Sequence, residues 1–135
     1  MNDRLLRRTL WGNAAFSVVS GALLAIFAQP FAAAASSAQP SLLGLDLATL
    51  FQLLGSGVVV FGALCAWVAS RAELPRGLAQ VIFVADIAWV AGSVLVLALP
   101  AGWTGAGIAG IAVLALIVAD LAILEYLGLR RLNRA

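Results

Sequence analysis

The sequence predicts an all-α membrane protein, an antiparallel bundle of four transmembrane helices with both termini in the cytoplasm. Three observations lead there. The 135 residues are 64% hydrophobic and 10% charged, where soluble domains are about half apolar and about a quarter charged. The apolar residues gather into four runs, each near the ~20 residues that cross a bilayer as a helix. All eight basic residues are arginines, and each stands at the end of a run.

The first span runs from about Leu10 to Ala28, behind Arg4, Arg7 and Arg8. Arg7-Arg8, the apolar stretch and the small residues between Phe31 and Pro40 also match a secretory signal with its cleavage site. Asn13, Ser17 and Ser20, however, fall at helical spacing with Gly21 and Ala25 beside them. A disposable leader has no use for such a stripe, so a retained helix is expected. Residues 29–46 then read as an external loop, bracketed by Pro30 and Pro40. Within it, Leu42 to Leu45 suits the outer interface, and Asp46 suits an N-cap for the second span.

The second span covers Leu47 to Ala69. Gln52, Ser56, Ala63, Ala66 and Ser70 share a stripe, flanked by Gly55 and Gly62. Lipid tails are as apolar as leucine, so helices associate there through small residues and interhelical hydrogen bonds. These residues are therefore expected to be packing faces. The third span, Leu78 to Leu99, groups Asp86 with Ile82, Phe83, Trp89, Val90 and Ser93. The fourth, Gly105 to Leu127, groups Asp120 with Val113, Ile117, Ile123 and Leu124. Only Pro100 to Thr104 joins these two, which makes them antiparallel neighbours. Arginines flank the N-terminus, the Ser70–Gly77 link and the C-terminal end, and none lies in the other two connections. The positive-inside rule places that end in the cytoplasm.

Composition also narrows the chemistry. The chain has no histidine and no lysine, and Cys65 is its single cysteine. The usual proton shuttle, a Schiff-base amine and a disulfide are all missing. With no nucleophile–base pair, no catalytic residue, metal or cofactor is expected and the chain reads as a non-enzyme. Arginines at span ends carry orientation, not a nucleic-acid footprint.

Asp86 and Asp120 are the leading site candidates. Each lies ten residues from the arginine closing its segment, Arg76 or Arg130. That is roughly 15 Å, about halfway through a ~30 Å hydrocarbon core. Acids at such depth are costly and usually purposeful. Equal depth on neighbouring helices predicts that the two carboxyls approach and share a proton. Asn13 and Ser17 are expected as their hydrogen-bonding partners, and Trp89 as the wall of a pocket. The plainer alternative makes the acids interhelical glue, with each bond worth only ~0.6 to 2 kcal/mol. Glu125 is expected near the inner edge, against Arg71, Arg76 or Arg130, with Tyr126, Trp11 and Trp67 in the inner aromatic belt and Trp103 in the outer. Gly105-x-Gly107-x-x-Gly110 spells a dinucleotide fingerprint, but it comes after no strand and reads as helix packing.

The strings Arg8-Thr-Leu-Trp-Gly-Asn-Ala-Ala-Phe-Ser17, Ser20-Gly21, Asp86-Ile-Ala-Trp-Val-Ala-Gly-Ser93 and Leu127-Gly-Leu-Arg-Arg131 resemble those of small uncharacterised bacterial four-span integral membrane proteins. The resemblance implies a four-helix bundle in the bacterial inner membrane and brings no activity with it. Functionally, the chain is expected to be an accessory or structural subunit, or a bundle that binds a hydrophobic or cationic small molecule. Besides the lipid bilayer, its partners would be another membrane subunit or a second copy. The alternative is a small proton-coupled exporter of cationic or lipophilic compounds. It is similar in size to the small multidrug transporters, but carries Asn13 where those have an acid in the first span.

Overall fold

A computed structural model describes residues 3–134. Among these residues the chain forms five helices and no strand: α1 Arg4–Ile26, α2 Ala28–Ala35, α3 Leu47–Ser70, α4 Arg76–Ala98 and α5 Gly105–Asn133. All but α2 are long and apolar enough to cross a membrane. At ~1.5 Å per residue, the shortest of them reaches roughly 35 Å, more than a ~30 Å hydrocarbon core requires.

Local chemistry sets the breaks. Pro30 has no N–H to bond Ile26, and its ring would strike that carbonyl, so α1 stops at Ile26. Part of the stretch expected as loop then re-forms as α2. Pro30 is tolerated in its first turn, and alanines 32–35 have high helix propensity. Asp46 caps α3 as expected, accepting the Thr49 amide at 2.7 Å, and Thr104 caps α5 by accepting from Gly107 at 3.0 Å. Between Leu42 and Leu45 a tight turn places Leu43 at φ +52° and leaves it 98% exposed.

Helix α1 is the centre of the bundle. It runs antiparallel to α3 with backbones nearly touching: a Cβ on Gly55 would lie 2.5 Å from the Gly21 carbonyl oxygen, and one on Gly62 would lie 2.9 Å from the Val18 nitrogen. These glycines are therefore packing positions, while Gln52, Ser56, Ala63 and Ser70 of the stripe expected to pack face outward instead. Helices α4 and α5 form the second antiparallel pair, and α5 joins the two pairs by packing on α1, where Gly128 meets Leu6. By contrast, α3 and α4 barely meet.

Each end of the bundle is closed. At the arginine end Leu6, Leu10, Cys65, Val68, Ile82 and Leu129 form an apolar plug. Arg7 spans its rim, donating to the Ala69 and Arg71 carbonyls at 2.5 and 2.6 Å and to Asp3 at 2.6 Å. It thereby satisfies carbonyls that the last turn of α3 leaves open. Its guanidinium holds the Asp3 carboxyl below the usual range. At the far end, Ser36 donates to the Ala101 carbonyl at 2.5 Å and the Thr104 amide to that of Ala35 at 2.9 Å, which ties the end of α2 to the α4–α5 turn. Gly107 sits directly on the Ala35 carbonyl, whereas Gly105 and Gly110 have open space. Of the three glycines that spell the fingerprint, only the middle one is demanded by packing.

Candidate functional site

Asn13 organises the middle of the bundle. Its amide nitrogen has two hydrogens and uses both, donating to Asp86 Oδ2 at 2.6 Å and to Glu125 Oε1 at 2.9 Å. Its carbonyl oxygen accepts from the Ser17 hydroxyl at 3.0 Å, one turn along α1. Asn13, Asp86 and Glu125 are 1%, 3% and 0% exposed, respectively. A polar bridge thus joins α1 to α4 and α5, and α1 and α4 have no close backbone contact that would do so instead.

The structure joins Asp86 to Asn13 directly, while Ser17 bonds Asn13 and not the acid expected for it, and the second carboxyl is Glu125. Asp120 lies on the exposed face of α5. Five residues turn an α-helix by roughly 500°, so the two acids of α5 point about 140° apart. Packing Gly128, Glu125, Ala122 and Val118 inward necessarily turns Asp120 outward.

Depth counting misplaced Glu125 as well, for two reasons. Helix α5 continues to Asn133, so Arg130 and Arg131 lie within its last turn and do not mark its end. Side chains also lean toward the N-terminus of their own helix. Glu125, on a helix antiparallel to α1 and α4, leans away from the arginine end, while Asn13 and Asp86 lean toward it. Residues counted to different depths therefore converge. Glu125 meets Asn13 and Asp86, not the arginines expected for it. The signal available in the sequence was a glutamate on the same face as Val118, Ala122 and Gly128.

The two carboxyls lie within hydrogen-bonding reach of each other. Glu125 Oε2 is buried and has no partner among the described residues. Asn13 has no further hydrogen to offer, so only a protonated carboxyl of this pair could engage that oxygen. Two charged carboxylates bridged by one neutral amide would repel in a medium that screens poorly.

Beside this bridge a cleft of about 260 Å³ opens between α1, α3, α4 and α5. Asp86 and Ser17 border it, with Ser20, Gly21, Gly57 and Trp89 among its other lining residues. Asn13 and Glu125 stand behind Asp86, away from the lining. Trp89 is among the lining residues, and its indole Nε1–H is buried without a partner among the described residues. Because α3 and α4 scarcely touch, the gap between them faces sideways, where a bilayer would lie. The apolar plug lies between this cleft and the arginine end. The belt residues divide: Trp11, Trp67 and Tyr126 are exposed, whereas Trp103 is half-buried and donates to the Val96 carbonyl at 3.0 Å.

Chemically, the site combines a largely apolar recess with one buried acid at its border, an indole donor and a second acid behind the first. Comparison of the chain with family models, with curated proteins and with solved structures finds no match.

Proposed function

We propose that this integral membrane protein is a non-enzymatic binding bundle, which takes a hydrophobic small molecule from the bilayer into the cleft beside Asp86. One observation carries the reading: a buried acid borders an apolar recess at mid-span, and the recess opens between the two helix pairs. Pockets of this kind use a few placed polar groups to orient an otherwise apolar ligand. Here those groups are Asp86, Ser17 and the Trp89 indole. The bundle would sit in the bacterial inner membrane with its arginine end in the cytoplasm, in accord with the positive-inside rule.

Gly57 offers a direct test. It lines the cleft, and a Cβ added there meets nothing within 4 Å. Gly57→Phe should therefore fill the recess while leaving the helices in place. The neutral fluorescent probe N-phenyl-1-naphthylamine, titrated into zwitterionic nanodiscs with and without protein, should bind saturably to the wild type and not to Gly57→Phe. Equal binding by both would move the ligand elsewhere.

A second reading, an accessory subunit, is supported by Asp120. An acid on a lipid-facing surface is costly, and a neighbouring chain would relieve that cost. Proton-coupled export would extend the first reading, with Asp86 as the proton carrier.

A further inference from the structure

We infer that the cleft takes lipophilic monocations, in particular protonated alkylamines with aromatic bodies and quaternary ammonium compounds, in exchange for the proton of Asp86. This rests on the ligand-binding reading above and names its ligand class.

Asp86 is the acid on the cleft wall, with Asn13 and Glu125 behind it. Its partners are an amide and another carboxyl, with no arginine to neutralise it. An ionised Asp86 is therefore a charge at mid-span without a counter-ion, a costly state that an entering cation relieves. The ring of Trp89, one turn along α4, lines the same space, and aromatic rings attract quaternary ammonium groups. The sideways opening admits molecules already dissolved in the bilayer, which selects cations with apolar bodies.

The groups facing Asp86 are few. Helix α5 presents Glu125 and α3 presents Cys65, both fully buried, while α1 presents only Asn13 and Ser17, which do not titrate. The exchange balances. As the cation docks through the gap between α3 and α4, the Asp86 O–H bond breaks and its proton leaves by the same gap to water at the membrane surface, since both ends of the bundle are closed. One positive charge enters and one leaves. Glu125 keeps its own proton and donates it to the new Asp86 carboxylate, and Asn13 continues to donate to both.

The test uses two probes of equal shape, phenyltrimethylammonium and its uncharged isostere tert-butylbenzene, each displacing N-phenyl-1-naphthylamine from protein in zwitterionic nanodiscs. Affinity for the cation should rise about tenfold per pH unit while Asp86 is protonated in the empty site, then level off once it is ionised. Affinity for tert-butylbenzene should not change with pH. Calorimetry in two buffers of different ionisation enthalpy should show one proton released per cation on the rising limb. Asp86→Asn should bring the affinity for the cation down to that for the isostere and abolish its pH dependence. Glu125→Gln should keep the pH-dependent exchange, because its amide replaces the donated proton. Cation binding no better than isostere binding, or independent of pH, overturns the exchange and leaves the binding reading standing. Loss of the exchange in Glu125→Gln overturns the assignment to Asp86. If no probe binds saturably, both fall.

Discussion

Asn13 and Glu125 stand 112 positions apart in the chain, yet a 2.9 Å hydrogen bond joins them across the first and last helices. That bond and its twin to Asp86 place a neutral amide between two carboxyls, so the three residues act as one unit.

Replacing Asn13 should therefore cost more than replacing either acid by its amide. Asn13→Leu leaves both carboxyls without their shared donor, a loss of ~1 to 3 kcal/mol for buried groups. Asp86→Asn and Glu125→Gln keep groups of similar size that hydrogen-bond. Thermal unfolding in mild detergent should rank Asn13→Leu well below both. Equal midpoints for all three would mean that the amide bridge contributes nothing to folding.

The two aspartates should respond oppositely to leucine. Asp86 is buried in the bridge and Asp120 is exposed. Asp86→Leu should lower the unfolding midpoint, whereas Asp120→Leu should raise it, since an acid at mid-span costs ~2.5 to 3.5 kcal/mol on insertion scales. Destabilisation by Asp120→Leu, or a change in oligomer size on a calibrated column, would reveal a partner on that face.

Close packing of α1 on α3 predicts a sharp contrast among glycines. Gly55→Ala forces a Cβ to within 2.6 Å of the Ala25 nitrogen, backbone that cannot give way cheaply. Overpacking of this kind typically costs about 1 to 3 kcal/mol. Gly57→Ala adds the same methyl to open space and should stay within about 0.5 kcal/mol of wild type. Comparable losses at both positions would contradict the antiparallel α1–α3 contact.

Acid should weaken the clamp at the arginine end. Asp3 is held below its ordinary value, chiefly by its hydrogen bond to Arg7. A carboxyl depressed in the folded state stabilises above its unfolded pKa, and that contribution is lost as pH falls through the folded one. The midpoint difference between wild type and Asp3→Asn should thus be full near neutrality and close as the medium becomes strongly acidic. A difference that persists in acid would point to packing instead of charge.

Orientation is open to labelling. Single cysteines at Ser37 and Ser70, both exposed, in a Cys65→Ala background report opposite ends of the bundle. An impermeant thiol reagent on intact cells should label Ser37→Cys and spare Ser70→Cys. The reverse pattern would invert the proposed topology.

The sequence by itself determined the spans, because length and apolarity suffice to identify a bilayer-crossing helix. It also determined several breaks, since Asp46 is a capping residue wherever it precedes a helix. The sequence also marked Asn13 as a donor to one of the two aspartates, as lone polar groups in apolar spans seek one another, but not to which. Only the tertiary structure decided that Glu125 completes the bridge and Asp120 faces outward. A helix in lipid is apolar on every side, so no hydrophobic stripe tells which face turns inward. That rotation is set by where small residues let backbones approach: Gly55 and Gly62 draw α3 onto α1, and Gly128 draws α5 onto Leu6. With α5 seated on Gly128, Glu125 comes round to Asn13, and the weak α3–α4 contact leaves the cleft beside Asp86.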